Sequence, residues 1–146
     1  MASLVSHTSI DCADAYALSE WWRSTLGYTD DAGDPNDPGD EECLILDPDS
    51  GHRLLFIEVP DAAAAKRGKN RLHLDLRPRE RRRDDEVGWL LTRGATLVAD
   101  HRGIHGLGTG WVILADPEGN EFCVLRSQRE LDRQDDDDEV VAPSGP

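Results

Sequence analysis

The stretch Leu114-Ala115-Asp116-Pro117-Glu118 reads as a strand running into a turn, and the chain has already used that pattern at Ile45-Leu46-Asp47-Pro48-Asp49. In each copy an apolar run stops at an aspartate whose side chain can bond its own backbone, and the next residue is a proline that presets φ. A glycine follows within a few residues, Gly51 in the first copy and Gly119 in the second. Two hairpins of one design imply a duplicated unit.

The flanking sequence repeats accordingly. Before the first turn, residues 4–12 read as a strand and Asp14 as a helix N-cap. Residues 15–26 place apolar side chains at helical spacing, and Gly27 ends that helix. Apolar runs at 43–46 and 54–59 flank the turn itself. Before the second turn, residues 71–76 alternate strictly (Arg, Leu, His, Leu, Asp, Leu), and residues 84–93 read as a helix closed by Gly94. Strands are expected at 95–99, 111–115 and 121–125. Both halves therefore read strand, helix, short strand, hairpin, so the fold class is α+β, two tandem βαβββ modules.

At 146 residues, 38% of them hydrophobic, the chain suits one domain or two small half-domains sharing a core. The expected domain spans 1–126, with module one at about 4–60 and module two at about 71–126. A connector with a four-alanine run lies between them. Residues 127–146 are acidic, carry prolines and show no apolar periodicity, so a disordered tail dispensable for stability is expected.

Thirty acidic residues against 16 basic give a net charge of −14, a field that repels phosphate backbones and anionic membranes. Neither nucleic acid nor a membrane is expected as a partner. No apolar run approaches the roughly 18 residues of a membrane span, and the first five residues lack a signal-peptide pattern. A cytoplasmic protein is expected. Cys12, Cys43 and Cys123 are odd in number and lie in apolar stretches, which reads as buried free thiols. The acidic loop over 30–40 lacks the ligand spacing of an EF-hand.

Strand alternation sorts the polar side chains. Leu72, Leu74 and Leu76 should pack on one face, leaving His73 and Asp75 on the other. Ile10 and Cys12 share a face, with His7, Ser9 and Asp11 opposite. Phe122 and Val124 oppose Glu121 and Cys123. The glycine-rich run 103–110 lacks the Lys-Ser/Thr of a phosphate loop and reads as a flexible hairpin, with His101 and His105 placed to touch a ligand. Trp21 and Trp22 are adjacent on a helix, so one is expected in the core and the other beside a ligand or interface. The arginines between 79 and 83 read as solvated surface.

These segments resemble the vicinal oxygen chelate superfamily of glyoxalase I, extradiol dioxygenases and bleomycin- or fosfomycin-resistance proteins, and most of all its bacterial glyoxalase-like domain branch. The marks are Ile10-Asp11-Cys12-Ala13-Asp14, Trp21-Trp22, Leu26-Gly27, Lys69-Asn70-Arg71-Leu72-His73-Leu74-Asp75-Leu76 and Asp116-Pro117-Glu118-Gly119-Asn120-Glu121-Phe122-Cys123-Val124. The resemblance implies a curved, eight-stranded mixed-sheet cup with helices outside, acting as a monomer or homodimer on a small-molecule ligand or substrate. Metal-dependent members hold one divalent ion (Zn, Ni, Fe or Mn) by ligands commonly running His, Glu, His, Glu. Carried onto this sequence, those positions are His7, Glu58, His73 and Cys123, the last departing from the carboxylate pattern. Glu58 and Glu121 are then the expected catalytic carboxylates, and Trp22, Asp75, His105 and Trp111 the expected ligand contacts. Two functions follow from the resemblance: a metal-dependent lyase, isomerase or dioxygenase, or a non-catalytic, bleomycin-resistance-like protein that sequesters a drug or metabolite.

Overall fold

A computed structural model describes residues 2–62 and 68–141, with side chains described as far as 134. The alanine-rich connector over 63–67, the side chains of the acidic run 135–139 and the proline-containing end 142–146 lie outside the described residues. The chain divides into two compact units, Met1–Gly68 and Lys69–Pro146.

In the first unit β1 (Thr8–Cys12) leads through Asp14 into α1 (Ala15–Leu26). The Asp14 carboxylate accepts from the Ala17 amide at 2.9 Å, and Gly27 ends the helix in the left-handed region at φ 70°. Strands β2 (Thr29–Asp30), β3 (Glu42–Leu46) and β4 (Arg53–Glu58) complete a sheet ordered β1-β4-β3-β2, with β1 parallel to β4 and the other pairs antiparallel. Cys12, Cys43, Ile45, Leu54 and Phe56 are buried, as are Leu18, Trp21 and Trp22 of α1, which packs against β3 and β4. Both indoles therefore belong to the core, their rings edge-on with centroids 5.1 Å apart. The two side chains share the buried arc through this edge-to-face contact, so the expected division of roles between them does not occur.

The second unit repeats the plan. Strand β5 (Leu74–Leu76) precedes α2 (Arg83–Thr92), followed by β6 (Thr96–Asp100), β7 (Val112–Ala115) and β8 (Glu121–Val124), ordered β5-β8-β7-β6. Again the first strand runs parallel to the last and the remaining pairs are antiparallel. The duplicated turn holds in detail. The Asp47 amide donates to His52 O at 2.8 Å and the Asp116 amide to Asn120 O at 2.9 Å. Each aspartate carboxylate accepts from the amide two residues on, Asp49 at 3.0 Å and Glu118 at 2.9 Å.

Two expectations change. Leu72 is 89% exposed instead of packed, because β5 pairs with β8 only from Leu74 onward. And residues Gln128–Val141 form a helix, α3, where a tail was expected. Its start carries a capping box: the Glu130 amide donates to Ser127 Oγ at 3.3 Å while the Ser127 amide donates to Glu130 Oε2 at 2.8 Å.

Candidate functional site

Cross-strand register determines what the second sheet presents on each side. Leu74, Phe122, Leu114 and Leu97 form one row and Leu76, Val124, Val112 and Asp100 another; Phe122, Leu114, Val124 and Val112 are fully buried. Between these rows Asp75, Cys123, Ile113 and Ala99 stand in register on the opposite face. That face forms the floor of a cavity of about 500 Å3, lined by Lys69, His73, Asp75, His101, Trp111, Ile113, Cys123 and Leu125. Its size suits a small organic ligand.

One wall is aromatic. The His101 and Trp111 rings lie 4.9 Å apart at a 35° tilt, and the His101 amide donates to Trp111 O at 2.9 Å. The loop between them is closed by Gly110, at φ 85°, where a Cβ would meet His101 O at 1.9 Å. Only glycine allows this approach. Arg83, assigned to the surface from the sequence, is instead 5% exposed, and its Nη1 donates to Thr109 O at 2.7 Å and Gly110 O at 2.8 Å. The guanidinium turns inward because two backbone carbonyls and Asp84 at 2.8 Å satisfy it. It was missed because an arginine run has the same composition whether or not one member is buried.

The polar wall is internally paired. Lys69 Nζ donates to Glu121 Oε2 at 3.2 Å, and His73 Nε2 lies 3.3 Å from Asp75 Oδ1. His73, Asp75 and Cys123 each offer a ligand atom within 4.8 Å of the others. Burial first, then the adjacent Asp75 carboxylate, pushes the Cys123 thiol up to about 11.

Within each unit the expected residues are placed as follows. His73, Asp75, Cys123 and Trp111 line the cavity and Glu121 joins it through Lys69. His105 is exposed in the loop outside the lining, its amide bonded to Thr109 Oγ1 at 3.1 Å. Trp22 is 2% exposed inside the first unit's core and presents no face to a ligand. His7 lies just ahead of β1 and lines a pocket of the first unit with Asp31, Asp34, Asn36, Arg53 and Leu55. Its Nδ1 is 3.0 Å from Ser6 Oγ. Glu58 is turned elsewhere. It follows Leu54 and Phe56 on the helix-packed face, opposite Cys12 in the register, and its Oε1 accepts from the Ala15 amide at 3.3 Å. The N-terminus of α1 favours that placement for a carboxylate.

The four-ligand metal set of the superfamily does not fit these residues. Glu58 faces α1 instead of the side that His7 and Leu55 line. Lys69, Ile113 and Leu125 enter the cavity without having been singled out; the alternation of β7 and β8 was the signal that could have found the last two.

The chain belongs to the glyoxalase-like domain family, whose model matches residues 7–125. Among solved structures it is similar to a possible glyoxalase from Bacillus cereus, at 18% identity and a TM-score of 0.56 over 85% of this chain and 99% of that one. It is also similar to the fosfomycin resistance protein FosX of Listeria monocytogenes, at 14% identity and a TM-score of 0.63 over 91% and 99% of the two chains. A form of FosX complexed with Mn(II) and sulfate aligns at 12% identity and a TM-score of 0.60, covering 90% of this chain and 98% of that one. At these identities the likeness establishes the fold. No curated protein matches the chain.

Proposed function

We propose that this protein is a binding member of the family, which sequesters a planar organic molecule in the cavity of its second module without a resident metal, as a cytoplasmic monomer or homodimer. The observation that carries the reading is the cavity of about 500 Å3 with the tilted His101–Trp111 pair beside the apolar Ile113 and Leu125. An aromatic face beside an apolar floor holds a flat ligand by stacking and burial. His73, Asp75 and Lys69 supply polar contacts at its edge.

A probe tests this directly. Anilinonaphthalene sulfonate should bind with one-to-one saturation, and Trp111→Ala should weaken it about three- to tenfold, the loss of one stacking contact. Equal affinity in the variant would remove the cavity from the account.

A second reading rests on the His73, Asp75 and Cys123 cluster, whose ligand atoms fall within 4.8 Å. One imidazole, one carboxylate and one thiolate suit Zn best. In this reading the ion belongs to module two alone and the protein is a metal-dependent enzyme of the family.

A further inference from the structure

The chain carries a net charge of −14, yet four guanidiniums line one groove. This second cavity of module two, about 420 Å3, is bounded by the start of α2, the glycine-rich loop and the first turns of α3. Arg82, Arg83, Arg126 and Arg133 line it, together with Asp84, Glu130, Leu107 and Gln134. We propose that the groove binds a small phosphate monoester, at a site distinct from the cavity beside Trp111.

The two carboxylates in the groove are already engaged. Glu130 Oε2 accepts from the Arg83 amide at 2.8 Å, the Ser127 amide at 2.8 Å and Ser127 Oγ at 3.0 Å. Asp84 Oδ1 accepts from Arg83 Nε at 2.8 Å and lies 3.5 Å from Arg102 Nη1. Four guanidiniums against two carboxylates leave two positive charges in excess. That excess matches a phosphate monoester, which carries close to two negative charges at neutral pH, better than a carboxylate.

The donors are available as well. Arg83 is held by the loop carbonyls, whereas Arg82 is exposed and reaches Glu130 Oε1 only at 3.7 Å. Arg126 donates through Nη1 to Gln134 Oε1, and its remaining donors are uncommitted among the described residues. Arg133 has no ion pair among the described residues. Guanidinium forks match phosphate oxygens two at a time. Leu107, fully exposed on the loop, gives the groove an apolar lip on which the organic part of an ester can lie.

Calorimetry of the full chain at low ionic strength, with phenyl phosphate as probe, tests the assignment. Saturable one-to-one binding is expected, weakened at least about tenfold by Arg126→Gln or Arg133→Gln, since each removes one charged hydrogen-bond donor group. Benzoate, with the same ring and a single charge, should bind the wild-type protein at least about tenfold more weakly, a comparison that needs no variant. Equal affinities for the two probes, or unchanged affinity in both arginine variants, would each overturn the proposal.

Discussion

Cys123 falls where the resemblance implies a carboxylate ligand, and its surroundings suit a thiol. It is 5% exposed, in register with Asp75 on one side and Ile113 on the other. A neutral S–H there needs no counter-charge, whereas a carboxylate would join Asp75 and Glu121 in a site with one lysine. Cys123→Glu is therefore expected to destabilise by about 1–3 kcal/mol, with no recovery on adding Zn, Ni or Mn. Melting temperatures with and without each ion decide the point, and a variant stabilised only by metal would favour the second reading. At this scale the sequence was legible where parity was strict. Alternation put His73, Asp75 and Cys123 on one face, and there they stand. Glu58 shows the limit. Its position near a strand end suited a ligand, yet the same alternation, counted from Leu54 and Phe56, already assigned it to the helix side.

Helix α3 is the element that composition concealed. The segment has no apolar stripe, and its signal was the short pattern Ser127-Gln128-Arg129-Glu130, a capping box outside any hydrophobic run. Glu130 serves two helices, since the same Oε2 that accepts from Ser127 also accepts from the Arg83 amide at the start of α2. Arg82, the α2 N-cap residue, makes no side-chain capping bond of its own, so the cap comes from Glu130, 47 positions beyond Arg83. Truncation after Ser127 should therefore lower stability instead of leaving it unchanged. Burial would raise the Glu130 pKa, but the hydrogen bonds from Arg83 and Ser127 outweigh it and hold the carboxyl below its usual 4.5. A depressed value in the folded state means that the ionised form contributes stability above about pH 4.5, and that the contribution disappears as pH falls through the lower folded value. Glu130→Gln should accordingly cost about 1 kcal/mol at pH 7 and progressively less below pH 4.5. Denaturant titrations of both proteins across that range measure it; a difference constant with pH would mean that the charge has no part.

For the whole molecule, duplication was the most legible property. One repeated Asp-Pro turn, two helices expected to end at glycine and two apolar hairpins were enough to read βαβββ twice, and each unit has that order. The match of the glyoxalase-like domain model over residues 7–125 covers both units. Function was less legible, because within one fold it depends on which side chains share a face and what neutralises them. Within the first unit His7 lines a pocket and Glu58 accepts from the Ala15 amide at the start of α1; within the second His73 and Cys123 meet Asp75. In the proposed role the second-unit cavity holds its ligand through an aromatic wall and paired polar groups, with no resident ion. Elemental analysis of protein purified without chelator tests this most directly. Zinc, nickel, manganese and iron should together amount to well below one equivalent per chain. A full equivalent of one of them, retained through dialysis and lost in His73→Ala, would contradict it.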